Sequence, residues 1–335
     1  MKAKILAFGE VMMRLEAPNY RTVAQTRSLD FAFSGTSVNV LSGLSHLGYQ
    51  TELMTTLPEN NIGYAAASYI RSLGVGTDAV SFDGDYIGMY VLEKGFGHRG
   101  SEVTYSNRSE SAFCQSLETN YSIEHLRTGT HIHFCGISLA INKQIREVTL
   151  RIAEEAKAQG LTVSFDCNFR PKLWKGGYKE ARPVYERMLL VADYVSMTEK
   201  DAVSILGMQT TAVQRQEQVD ALLPKVAQRY SISAIAGTIR ETNASASTLQ
   251  GFLVQDGRVD FSTVHTVAIL DRIGSGDGFF SGFLAAIFEG KSSSDIVEWA
   301  TAAGVLAHTT YGDSPVTTRR AIEKLQLNQH IDVER

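Results

Sequence analysis

Four glycines and two aspartates crowd into DRIGSGDGFFSGF, residues 271–283. Gly274, Ser275 and Gly276 precede an apolar run in which Phe279, Phe280, Phe283, Leu284 and Ile287 recur at helical spacing, so the segment reads as a loop entering a helix over residues 278–289. Backbone N–H groups converge at such an entrance, the helix dipole favours negative charge there, and glycines let a phosphate approach the main chain closely. The spacing describes an anion cradle for a phosphoryl group. Asp277 stands beside it with a charge that repels such a guest, and two readings follow. It is an acidic residue of the first helical turn, favoured by the dipole, or it is a base that takes a hydroxyl proton while the cradle steadies the migrating phosphoryl. In the second reading the helix N-terminus is expected to lower its pKa and leave a weak base. Phosphoryl transfer tolerates this, because positioning and charge stabilisation dominate a loose transition state.

Other phosphate and metal motifs fit less well. The Lys-Ser/Thr ending of a Walker loop is missing, and a dinucleotide fingerprint would lie earlier in the chain with an acidic ribose partner following it. His131 and His133 fall on one face of a strand without a third ligand nearby and read as core or sheet surface. The 335 residues are 44% hydrophobic and 20% charged, enough for an ample core, and the net charge of -4 without a Lys/Arg block excludes nucleic acid as an expected partner. Cys114, Cys135 and Cys167 are too few and scattered for a disulfide framework or a zinc site. With no secretory leader and no bilayer-length apolar run, they lead to the expectation of a cytoplasmic protein.

The elements that must position these residues alternate. KILAFGEVMMRL, TELMTTL, THIHFCG, LTVSFDCN, DYVSM and ISAIAG read as strands, with helical spacing between and after them. This predicts a mostly parallel central sheet flanked by helices in one domain over residues 1–335. Residues 12–33 and 82–113 break the rhythm with β-prone pieces and no helix, and predict a small antiparallel β sheet. It is either a pair of surface hairpins or a lid over the carboxyl ends of the parallel strands, where open α/β sheets bind ligands.

On DRIGSGD the chain resembles the ribokinase-like (PfkB) carbohydrate kinases, whose hallmark is D-T-x-G-A-G-D ahead of a helix; Arg272 and Ser275 stand for Thr and Ala. SGTSVNVL, residues 34–41, is similar to the family's G-G-x-x-x-N-x-A stretch, with Gly35 and Asn39 kept. DCNFRPKLW, residues 166–174, GTIRET, residues 237–242, and HTTYGD, residues 308–313, resemble the branch acting on 2-keto-3-deoxygluconate, and the first also resembles some fructokinases. The resemblance implies a ribokinase-like fold, ATP as phosphate donor, magnesium arriving with it, and transfer to the terminal hydroxyl of that sugar acid. A monovalent cation is compatible with it.

The resemblance also implies site residues. Asp277 would be the base, and the N–H groups of Gly274, Ser275 and Gly276 would hold the phosphoryl. Ser106, Asn107 and Arg108 fall at the substrate-contacting lid triplet, and Tyr90 and Tyr105 supply the contacts of the tyrosines it often carries. A substrate carboxylate calls for a fork-shaped cation, for which Arg108 and Arg170 are candidates; Gly35, Asn39 and Asp313 complete the substrate side. Asn168, Arg170, Thr198, Gly237, Thr238 and Arg240 flank the nucleotide. The family's N-x-x-E has become TEKD, leaving Asp201 to reach a metal through water. An exposed lid with free sheet edges predicts a homo-oligomer, at least a dimer. Three rivals remain at this point: a neutral-sugar kinase such as a fructokinase, a non-catalytic sugar-binding or regulatory protein on the same scaffold, and a nicotinamide-dependent oxidoreductase.

Overall fold

Runs of β-branched and aromatic residues, separated by capped helices, form two sheets in the computed structural model, which describes residues 4–242 and 247–327. The strands are β1 (Lys4–Phe8), β2 (Met12–Glu16), β3 (Asp30–Ser34), β4 (Gln50–Leu57), β5 (Val80–Phe82), β6 (Gly88–Glu93), β7 (Glu102–Ser106), β8 (His131–Cys135), β9 (Thr162–Asp166), β10 (Tyr194–Ser196), β11 (Ala234–Thr242), β12 (Ser247–Gln255), β13 (Arg258–Phe261) and β14 (His265–Val267). The large sheet runs β13-β12-β11-β10-β9-β8-β1-β4-β5, with β14 paired to β12. Every pairing from β5 to β11 is parallel. Beyond β11 the pairings are antiparallel, an extension that the sequence reading, which ended its strands at ISAIAG, did not include.

Strand alternation sends residues to two cores. In β1, Leu6 and Phe8 join the core under the helices Lys143–Ala158, Gly177–Leu189 and Arg215–Tyr230. Ile5 and Ala7 join the core under Thr36–His46, Asn61–Ser72, Ser275–Phe288 and Ser293–Ala307. Helix starts carry their caps: Asn60 accepts the N–H groups of Ile62 and Gly63, and Asn142 accepts that of Ile145.

The second sheet, ordered β3-β2-β6-β7, is built from the two segments read as a lid and keeps that name. β2–β3 and β6–β7 are antiparallel, while the central β2–β6 pair is parallel. KILAFGEVMMRL is therefore not one strand. Gly9, Glu10 and Val11 carry the chain from β1 in the large sheet to β2 in the lid, and a Cβ on Gly9 would lie 2.3 Å from Ser37 Oγ. The lid consequently hangs from the carboxyl end of a central strand, over the site where β9 and β10 also end.

Candidate active site

The Ser275–Phe288 helix starts earlier than the expected residue 278, so Ser275, Gly276 and Asp277 make its first turn behind Gly274, the N-cap at φ 80°. First-turn N–H groups have no carbonyl a turn below to bond. A Cβ on Gly274 would come within 1.7 Å of the Asp313 main-chain oxygen, whereas one on Gly276 would meet nothing within 4 Å. Gly276 thus borders open space in the cleft. The fully buried Phe280, Phe283 and Leu284 anchor the helix behind the loop, each contributing about 1.5–3 kcal/mol. Ser275 turns its side chain away from the cleft: its Oγ donates to the Arg272 carbonyl at 3.0 Å and accepts from Arg240 Nη2 at 3.3 Å. Only its main chain is available to an anion.

Asp277 is buried, and its Oδ2 accepts from Asn39 Nδ2 at 2.7 Å. Burial pushes its pKa up to about 8, with Asp166 and Asp313 adding to the rise and Asn39 and Arg170 opposing it. The expected lowering by the helix N-terminus is reversed. Desolvation of the carboxylate outweighs a dipole that acts through partial charges. The result is a stronger base than the sequence reading allowed.

A cleft of about 1340 Å³ opens between the lid and the carboxyl ends of the large sheet. Gly35, Asn39, Tyr90, Tyr105, Arg108, Arg170, Asp277 and Asp313 line it together with Gly274 and Gly276. Ser106 and Asn107 do not line it. Ser106 is exposed at the end of β7, and Asn107, at φ 40°, turns the chain out of that strand with its Oδ1 buried and unpartnered. Arg108 donates from Nε and Nη2 to Glu10 Oε2, at 2.8 and 2.6 Å, and lies 5.1 Å from the Tyr105 ring. Arg170 is exposed and has no carboxylate within salt-bridge distance among the described residues. Asp313 is fully engaged: Arg14 Nη1 donates to its Oδ1 and the Tyr90 hydroxyl to its Oδ2.

On the nucleotide side of the expected site, Asn168, Arg170, Thr198 and Asp201 line the cleft, joined by Asp166. Gly237, Thr238 and Arg240 are not part of this lining. A Cβ on Gly237 would strike the Phe252 ring at 2.5 Å and the Met197 carbonyl oxygen at 2.6 Å, so close strand packing accounts for this glycine. Arg240 donates to His308 Nε2 at 2.6 Å, while His308 Nδ1 bonds the Gly304 carbonyl at 2.7 Å. Asp201 Oδ2 accepts from both the Thr198 N–H and its hydroxyl at 2.8 Å, a cap on the Glu199–Ser204 helix that accounts for TEKD. Burial pushes Asp166 up to about 6 and raises Asp201 as well.

No group of three or more His, Cys, Asp or Glu side chains is arranged to hold a metal among the described residues. Asp166 and Asp201 are nonetheless hard oxygen donors whose ionised forms burial disfavours, and they suit a magnesium ion that keeps most of its waters. His131 and His133 are buried against Ser164, and desolvation pushes both down to about 3. Sequence reasoning passed over Glu10, Arg14, Lys94 and Asp166. Asp166 sat inside a quoted motif; the other three stand in apolar or mixed stretches without any spacing signal.

The chain belongs to the pfkB family of carbohydrate kinases, whose family model matches residues 2–319. A crystal structure of a protein from Enterococcus faecalis, provisionally named a 2-keto-3-deoxygluconate kinase, superposes with a TM-score of 0.94 at 36% identity, covering 99% of each chain. The 2-dehydro-3-deoxygluconokinase of Thermotoga maritima gives 0.92 at 31% identity over 97% of this chain and 98% of its own. The 2-dehydro-3-deoxygalactonokinase of Haloferax volcanii is 26% identical over 100% of both chains. A protein of Escherichia coli provisionally named ribokinase II, whose structure holds ATP and Mg2+, shares the fold with a TM-score of 0.78 at 16% identity over 98% of this chain and 100% of its own.

Proposed function

We propose that the protein transfers the γ-phosphoryl group of ATP to the terminal hydroxyl of 2-keto-3-deoxygluconate, giving 2-keto-3-deoxy-6-phosphogluconate. The observation that carries this reading is Asp277, a buried carboxylate raised to about 8 and held by Asn39, standing one residue from Gly276 at the mouth of a helix. A base of that strength, within reach of a bound hydroxyl, accepts its proton as the phosphoryl moves. The N–H groups of Gly274, Ser275 and Gly276 stabilise the charge on the transferring group. Arg170, Arg108, Tyr90 and Tyr105 hold the sugar acid under the lid, with Gly35 and Asn39 on its floor. Asn168 and Thr198 face the nucleotide. Arg240 supports the loop through Ser275, and Gly237 and Thr238 lie behind it. Asp166 and Asp201 would hold a hydrated Mg2+, which neutralises phosphate charge when bound. Three free, buried cysteines suit a reducing cytoplasm.

The test is an ADP-release assay with ATP and magnesium on 2-keto-3-deoxygluconate, 2-keto-3-deoxygalactonate, fructose and ribose. Turnover is expected on the keto-deoxy acids, with the gluconate-derived acid preferred. Preference for fructose or ribose would remove the carboxylate clamp, and preference for the galactonate-derived acid would reassign the substrate stereochemistry.

A further inference from the structure

A buried ionic cluster joins the lid to the anion loop. Arg14, at the centre of β2, is 3% exposed. Its Nη1 donates to Asp313, and its Nη2 donates to Glu16 and, at 2.9 Å, to Asp271 Oδ2. Lys94, just beyond β6, reaches that same Asp271 oxygen at 3.3 Å and Glu16 Oε1 at 2.7 Å. Asp271 opens the anion loop and accepts the Ile273 N–H at 3.2 Å. At the loop's other end the Asp313 main chain lies against Gly274. Both flanks of the loop are therefore held by one guanidinium that belongs to the lid. Burial opposes the charge on Arg14, and the carboxylates Asp313, Asp271 and Glu16 outweigh it. Such a cluster is satisfied only as a whole, and removing one member leaves uncompensated charge behind.

We propose that Arg14 is a positioning residue for phosphoryl transfer. It sets the lid sheet against the loop carrying Gly274 and Asp277, so that lid seating and the anion cradle form together. The inference rests on the phosphoryl-transfer reading but not on the identity of the sugar, because its test uses whichever sugar the wild-type protein turns over. Arg14→Lys keeps the charge but replaces a planar fork with a single ammonium that cannot serve Asp271 and Asp313 in the same way. Circular dichroism and thermal melts establish folding; kcat, both KM values and the ADP formed per sugar phosphate are then measured. For folded Arg14→Lys, kcat is expected to fall by about 10- to 100-fold, with ADP exceeding sugar phosphate because water reaches a cradle whose lid is unseated. A folded variant with wild-type kcat and one ADP per sugar phosphate would overturn the inference. If Arg14→Lys melts below the assay temperature, Asp271→Asn, which retains an acceptor for the Ile273 N–H, is expected to show the same loss of rate and coupling, and wild-type behaviour there overturns it equally.

Discussion

At the scale of the residue, the protonation of Asp277 is expected to govern both rate and stability. In the ligand-free protein its pKa moves from 3.8 to about 8 through burial. A carboxylate with a raised folded-state pKa costs stability as pH rises: the unfolded chain releases the proton near pH 4 while the folded chain keeps it until about pH 8. Asp277→Asn is therefore expected to melt increasingly above wild type from pH 4 to 8 and to hold a constant difference beyond, read as Tm against pH. In the wild type, kcat/KM for the sugar acid is expected to rise along an acid limb near pH 8. Asp277→Asn is expected to lose that limb together with about 100-fold or more of kcat; near-normal turnover would remove the proposed base. Two of the cleft arginines, Arg108 and Arg170, differ in the same electrostatic sense. Arg108 is paired with Glu10, whereas Arg170 has no salt-bridge partner among the described residues and acts on Asp277, Asp166 and Asp201 from further off. Arg170→Ala is expected to raise KM for the sugar acid by roughly 10- to 100-fold, the value of a charge-assisted hydrogen bond, and to leave KM for fructose nearly unchanged. An equal rise for both sugars would place Arg170 elsewhere.

At the scale of the element, the entrance of the Ser275–Phe288 helix separates stability from activity. Gly274 is left-handed and has no room for a Cβ, so Gly274→Ala is expected to lose about 1–3 kcal/mol or more by chemical denaturation. Gly276 is helical with open space at its Cβ position. Gly276→Ala is expected to stabilise the helix by up to about 1 kcal/mol while placing a methyl group where the proposed reading brings a phosphate, so that kcat/KM for ATP is expected to fall as Tm rises. A parallel change in both quantities would show that Gly276 serves only the helix. Much of this element was legible in DRIGSGDGFFSGF, because glycine conformation and helical spacing are local properties. So were the parallel strands, whose apolar runs reflect burial on both faces. The break between β1 and β2 was not legible, since only Gly9 and Glu10 interrupt an apolar run that Val11 resumes. Nor was the capping role of Thr198 and Asp201 separable from a metal role by residue type alone. Apart from Glu16, two residues from Arg14, Glu10 and Arg14 acquire their partners from residues 98 to 299 positions away in the chain, a pairing that only the folded topology creates.

At the scale of the whole molecule, the lid is a four-stranded sheet with one face on the cleft and another turned outward. In-register pairing brings Leu15, Phe31 and Val91 side by side on that outer face; Phe31 is 64% exposed, and Leu15 and Val91 are half-buried. The outer strand β7 is exposed along its whole length. Adjacent apolar side chains on a sheet with a free edge favour association with a matching surface, and a two-fold pairing of identical lids supplies one. A lid clamped to the anion loop through Arg14 would transmit that pairing to the cradle. Light scattering after size exclusion is expected to give twice the monomer mass for the wild type. Phe31→Lys, which puts an ammonium into the middle of the patch without touching the cleft, is expected to give the monomer mass. It is also expected to lower kcat with little change in Tm, because a lid without its partner remains folded but seats less firmly. A wild-type monomer at micromolar concentration would show that the lid works alone, and a monomeric Phe31→Lys protein with full kcat would show that pairing and catalysis are independent.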